Sequence, residues 1–324
     1  MILLDRNGVD AALTMRRAID LLENAALHEA AGKTVVSPRL NTNFDTGWMR
    51  ILFAVDAASG YFATKAYHMI QGVGVRYVIS LYGLKDGALL ALLDGRTITD
   101  RRTGAASGVV ARKVSIAEPV RVGIIGSGYQ ARAQLVSLAT VYDVAAVSVY
   151  SPTASHRDEF AREMSAQLKI SVSAVDSPEA AVRDKTVVAA ASSNLSGKAA
   201  LRGAWLDGCR LLCAVGSTRR EQVEADAQCY ERAAMIVVDT LNALEESGDL
   251  KGANEAGVVP RSKLATMAQV VSGDVTIPDA GLVVFKSVGT ALQDLALSAW
   301  CYENLRHSPG VIEVPDVASL KSKG

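Results

Sequence analysis

Residues 122–135, VGIIGSGYQARAQL, set Gly126, Gly128 and Ala131 in a G-x-G-x-x-A pattern. Alone, such a pattern says little. Directly after an apolar run and ahead of a helical one, it describes a strand, a turn and a helix start that grip a pyrophosphate. Gly126 permits the tight turn. Gly128 lets a phosphate approach the backbone, and Ala131 is small enough for helix and strand to pack closely. The helix start adds amide donors and a partial positive charge. Gln130, inside the same turn, counts as a further cofactor contact.

The next apolar run ends at Tyr150. A site for NAD usually follows its second strand with Asp or Glu, which accepts hydrogen bonds from the ribose. Here the chain reads Ser151, Pro152, Thr153, Ala154, Ser155, His156, Arg157, and the nearest acid, Asp158, falls on the next helix. A carboxylate repels a 2′-phosphate, whereas hydroxyls and a guanidinium bind one. Ser151, Thr153 and Arg157 therefore favour NADP(H), with NAD(H) as the second choice.

Other reactive side chains read as structural. Cys209 and Cys213 lie within one strand-like run, with no further pair to complete a zinc site. His28, His68, His156 and His307 are scattered, so no metal is expected. Glu224 and Asp226 read as a helix start, and the Glu-Glu-Ser of LEESGDL as a helix end.

The scaffold that must position these groups is long enough for two domains: 324 residues, 49% hydrophobic and 21% charged. Lys plus Arg equals Asp plus Glu at 34 each, so no basic excess recruits nucleic acid or anionic lipid. No apolar run approaches the roughly 18 residues of a membrane span. The opening MILLDRNGVD reads as a poor signal peptide, and a cytoplasmic protein is expected.

Apolar residues at 11, 15, 18, 22 and 26 predict an amphipathic helix over 9–31. WMRILFAVD, GYFATKAYH, VRYVISLYG and ALLALLDG predict consecutive, mostly antiparallel strands, followed by a helix from near Thr99. From about 118 the texture changes. VRVGIIG, VAAVSVY, TVVAAASS, CRLLCAVGS, AMIVVDT and GLVVFKS are buried-type runs, mostly separated by helical stretches. That alternation predicts a parallel sheet covered on both faces. LQDLALSAWCYENLRHS closes the chain as a helix.

Several long blocks, in order, resemble the ornithine cyclodeaminase/mu-crystallin family: GYFATKAY, ITDRRTGAAS, VGIIGSGYQARAQL, AVGSTRREQVEAD, LEESGDL and VFKSVGTALQDLAL. The resemblance implies an α/β fold: a Rossmann dinucleotide-binding domain plus an α+β substrate and dimerisation domain. It divides the chain into 117–299 for the first and 1–116 with 300–324 for the second. It also implies a homodimer built through the N-terminal strands.

By the same resemblance, Lys65 and Arg102 contact a substrate carboxylate, with Arg39 as a third cation. A bidentate arginine fixes a carboxylate's orientation, and a second cation offsets its desolvation. Lys65, with its pKa lowered by neighbouring cations, could also donate a proton to an imine. Ser287 and Gly289 would line the nicotinamide, with Lys286 close by.

One absence matters. Ornithine cyclodeaminases and alanine dehydrogenases of this family carry Asp in a motif of the form A-V-G-G-D. This chain reads AVGST, with Thr218 at that position. A hydroxyl is no general base near neutral pH without help. The ketimine-reductase branch also carries a small hydroxyl residue there. The resemblance therefore implies reduction of a small α-imino acid, cyclic or N-substituted, by hydride transfer to a C=N carbon, with Thr218 among the substrate contacts. The alternatives are an ornithine cyclodeaminase or alanine-type dehydrogenase, and a non-catalytic protein that binds NADPH and a small ligand.

Overall fold

The computed structural model describes residues 1–315 apart from Glu118, Leu195 and Gly310. Residues 316–324, within the range expected for the substrate domain, lie outside the described residues. The chain forms two compact units, Met1–Arg102 with the segment from Thr290 onward, and Thr103–Gly289.

The first unit opens with β1 (Ile2–Leu4), α1 (Arg6–Ala12) and α2 (Met15–Ala30). The single helix expected over 9–31 is thus two. Thr14 accepts the amide of Arg17 and starts a new N-terminus, and Ala11 faces solvent instead of joining the apolar stripe. Six strands follow: β2 (Thr34–Val36), β3 (Leu40–Phe44), β4 (Gly47–Asp56), β5 (Tyr61–Ile70), β6 (Gly74–Gly83) and β7 (Leu89–Asp94). The four strands expected over 48–94 are β4 to β7, each antiparallel to the next. Alternation sorts their side chains. In β4, Arg50, Leu52, Ala54 and Asp56 are buried while Met49, Ile51 and Phe53 are exposed. In β5, Ala63, Lys65 and Tyr67 are buried.

Helix α3 spans Gly95–Ala111, one turn earlier than expected. Asp94 accepts the amide of Arg96, and Thr99 bonds back to the Gly95 carbonyl from inside the helix. The division between units falls within α3, after Arg102. Beyond it, the Thr103 carbonyl accepts from Gln134, and Tyr142 donates to Ala111 and Val114.

The second unit alternates strands and helices. In order they are β8 (Val120–Ile125), α4 (Tyr129–Val141), β9 (Val144–Tyr150), α5 (Ala154–Leu168), β10 (Ser171–Ala174), α6 (Pro178–Val182), β11 (Val187–Ala190), β12 (Leu211–Ala214), α7 (Ala227–Glu231), β13 (Ala233–Val238), α8 (Ala243–Glu246), α9 (Gly248–Glu255), β14 (Leu264–Thr266), α10 (Met267–Ser272) and β15 (Leu282–Lys286). They build a parallel sheet in the order β10-β9-β8-β11-β12-β15-β13-β14. This is a Rossmann arrangement, in which the order reverses beside the first strand, β8. Every residue of β11, β12 and β15 is buried, as continuous apolar runs require. β10 and β14 have no counterpart in the sequence reading. They are short edge strands with weak apolar patterns. Asp226 caps α7 by accepting the Cys229 amide, and Ser247 caps α9.

The chain then returns to the first unit with α11 (Ala291–Leu305) and β16 (Ile312–Glu313). The completed sheet runs β16-β1-β7-β6-β5-β4-β2, with β3 paired to β4. α11 packs on the face of β4 and β5 that carries Lys65. Among the described residues no helix is long and apolar enough to cross a membrane.

Candidate active site

In the first unit, one buried lysine organises the charge. Lys65 points from β5 toward α11, where its ammonium donates to Asp294 Oδ1 at 2.8 Å. It also donates to Thr99 Oγ1, on α3, at 2.7 Å. An ammonium has three donors, so one N–H remains. Arg102, one turn along α3 from Thr99, brings Nε to 3.6 Å from the same Asp294 oxygen and leans on Gln293 Oε1 at 3.5 Å. Arg39, in the loop between β2 and β3, lies close enough for its charge to act on Lys65. The fold thus gathers Lys65, Arg102 and Arg39 from three separate stretches of chain.

Burial lowers the Lys65 pKa to about 8, the Asp294 carboxylate opposes that shift, and the charges of Arg102 and Arg39 add to it. The rings of Tyr67 and Tyr77 stand 5.5 and 5.4 Å from its nitrogen. Burial likewise raises Asp100 to about 6 and Tyr77 to about 12. Asp294 and Thr99 were not among the residues singled out in the sequence. Asp294 had a signal there, since it is an acid inside the apolar run ALQDLAL.

In the second unit, the glycine turn has the geometry that its sequence predicts. Gly126 has φ +106°, and a Cβ there would stand 2.6 Å from the Ala191 carbonyl oxygen. Only glycine fits. Gly128 caps α4 without a side chain, and a Cβ there would meet nothing within 4 Å. Ala131 is fully buried and Gln130 is the second residue of α4. This open, uncapped helix start fits a dinucleotide phosphate.

Past β9, Ser151 is buried and hydrogen-bonds Ser127 of the turn at 2.9 Å. Thr153 takes the cap position of α5 without a side-chain bond. Arg157 donates to the Ser151 carbonyl at 3.2 Å and pairs with the exposed carboxylate of Asp176. Beside them, Gly128, Arg132, His156 and Glu163 border a cleft of ≈ 480 Å³, across which Arg132 pairs with Glu163 at 2.7 Å.

Ser287 and Gly289 follow β15 and share one buried acceptor. Asp239, at the end of β13, accepts from Ser287 Oγ at 2.6 Å, Val288 N at 3.2 Å and Gly289 N at 2.7 Å. Lys286 points the other way, into the interior, 3.4 Å from Asp249. Thr218 donates its amide to Gln222 Oε1 at 3.0 Å. Its loop is held by Glu224, which accepts from Gly216 N at 2.8 Å and from Ser192 N. Burial raises that carboxyl to about 7, although Lys286 opposes the shift.

Residues 1–309 match the sequence profile of the ornithine cyclodeaminase/mu-crystallin family. The chain belongs to that family. An alanine dehydrogenase of Archaeoglobus fulgidus is 28% identical to this chain over 315 residues, 94% of each chain. A Δ1-pyrroline-2-carboxylate reductase of Bacillus cereus is 29% identical over 70% of each chain. The solved structure of a Thermococcus litoralis Δ1-pyrroline-2-carboxylate reductase, in complex with NADH and L-proline, superposes with a TM-score of 0.90 at 28% identity. It covers 97% of this chain and 100% of its own.

Proposed function

We propose that this protein is an NAD(P)H-dependent reductase of small α-imino acids, acting on the carbon of a C=N bond. The observation that carries this reading is the buried cluster around Lys65. Lys65, Arg102 and Arg39 concentrate positive charge, and Asp294 is the acid that ion-pairs with both Lys65 and Arg102. A substrate carboxylate complements the remaining charge, and Arg102 fixes its orientation. The third N–H of Lys65 then reaches either that carboxylate or the imine nitrogen, and its lowered pKa suits proton donation near neutral pH. The alanine dehydrogenase and pyrroline-2-carboxylate reductase relatives act on small amino or imino acids, which supports the same substrate class.

We assign substrate binding to the first unit and the dinucleotide to the second. Gly126, Gly128, Gln130 and Ala131 would hold its phosphates, Ser151, Thr153 and Arg157 its ribose 2′ position, and Ser287 and Gly289 its nicotinamide end. Bound there, a reduced nicotinamide supplies the hydride. The lack of an acid after β9 favours NADPH over NADH. For Arg157 to take a 2′-phosphate, that phosphate must displace or share with Asp176, which is 96% exposed and readily released.

The outer face of the first sheet supports a homodimer. Leu40, Ile51, Phe53 and Val78 are exposed there, opposite the face that carries Lys65. A contiguous apolar face of this kind marks an association surface. All four cysteines are buried and unpaired, which suits the reducing cytoplasm. Thr218, in place of Asp, disfavours a cyclodeaminase.

The deciding experiment follows NADPH and NADH oxidation with cyclic imines and with 2-oxo acids, in the presence and absence of amines. Oxidation that requires a C=N bond is expected. Silence across that range leaves a ligand-binding protein, and conversion of ornithine to proline and ammonia with catalytic NAD means a cyclodeaminase.

A further inference from the structure

Strand β4 carries a buried cation that the carboxylate cluster does not use. Arg50 shares the buried alternation of Leu52 and Ala54, so its side chain leaves the sheet on the face of Lys65 and Tyr67. The register sets Arg50 opposite Tyr67 and Leu52 opposite Lys65. Arg50 and Lys65 are therefore diagonal neighbours, with Cα atoms about 7–8 Å apart. Tyr67 links them, since its ring centroid lies 5.5 Å from Lys65 Nζ and 6.0 Å from Arg50 Cζ.

Arg50 is only 9% exposed, and its guanidinium stacks 4.4 Å over the ring of Trp48. Among the described residues its guanidinium makes no hydrogen bond and no ion pair; the partners of that group are ring faces alone. The acid of the neighbouring cluster is engaged elsewhere: Asp294 serves Lys65 and Arg102. A guanidinium has five donors, and a buried charge normally has a counter-ion. Stacking on an aromatic ring offsets part of the desolvation and pre-organises the planar fork for a carboxylate.

We infer that Arg50 receives a carboxylate on the substrate's side chain, so that the substrate is a short dicarboxylic α-imino acid. This rests on the imine-reductase reading. Its α-carboxylate meets Arg102 and Lys65, and its second carboxylate meets Arg50, one diagonal step along the same sheet face. An imine derived from an aspartate- or glutamate-sized skeleton fits that spacing. A side-chain amine, as in ornithine, would face a buried cation there and be rejected.

The test compares kcat/KM for NAD(P)H oxidation with ammonium plus oxaloacetate, 2-oxoglutarate or pyruvate, in the wild type, Arg50→Gln and Arg50→Lys. One of the two acidic imines should exceed the pyruvate-derived imine by at least about tenfold. Arg50→Gln should shrink that ratio by about the same factor, and Arg50→Lys should restore part of it. A wild type that prefers the pyruvate-derived imine, or a Gln variant that lowers all three rates in proportion, overturns the assignment.

Calorimetric titration with L-aspartate, L-glutamate and L-alanine tests Arg50 without turnover. At least one acidic amino acid should bind about tenfold tighter than alanine to the wild type. Should no imine be reduced, the reductase reading fails and this titration alone decides Arg50. Equal affinity for all three amino acids then overturns the assignment.

Discussion

Lys65 and Asp294, 229 residues apart in sequence, meet as a buried ion pair at 2.8 Å. The pair joins β5 to the C-terminal helix, and it draws Arg102 to the same carboxylate oxygen. Breaking a buried pair from one side leaves an uncompensated charge. Asp294 therefore acts on the reaction through Lys65, as a positioning residue.

The pH profile should report this pair. Lys65 donates only as the ammonium, and its pKa is lowered to about 8. kcat/KM for imine reduction should therefore be high below that value and fall as pH rises through it. Asp294→Asn removes the charge that supports the ammonium, so the alkaline limb should move to lower pH. pH–rate profiles of the two proteins provide the check. An unmoved limb would mean that Lys65 does not titrate in the reaction.

Arg102→Ala should lower kcat/KM on imino acids by about 10- to 100-fold, the loss of one charged hydrogen-bonded contact. Steady-state kinetics over a range of imine concentrations measure it. Unchanged kinetics would remove Arg102 from the carboxylate site.

Nucleotide titrations followed by fluorescence should show tighter binding of NADPH than of NADH. Arg157→Ala should weaken NADPH by about tenfold and NADH little, because only NADPH offers a 2′-phosphate. Asp176→Asn should strengthen NADPH a little, since it releases Arg157 from its present partner. Equal or reversed affinities in the wild type defeat the NADPH preference.

Phe53→Lys, on the outer face of β4, should convert a dimer to monomers by placing a charge within the apolar face. Sedimentation velocity reads the change. A wild-type monomer at micromolar concentration would show that the face is not a self-association surface.

The sequence by itself determined whatever depends on neighbours along the chain. The alternation in β4 to β7, the continuous apolar runs of the parallel sheet and the G-x-G-x-x-A turn are all local patterns, and the structure has them. The missing acid after Tyr150 and Thr218 in AVGST are local too. A local cap and weak edges set the rest: Thr14 divides one apolar stripe into two helices, and β10 and β14 carry little apolar pattern. Only the tertiary structure decided which charges meet. Lys65 could be singled out, but its pairing with Asp294 depends on α11 packing across the sheet. Arg50 could not be told from a surface arginine until the register put it on the buried face beside Tyr67. Asp239 likewise meets Ser287 and Gly289 only because β13 and β15 lie side by side. Such contacts are set by packing between distant segments, and burial then fixes how strongly each charge is felt.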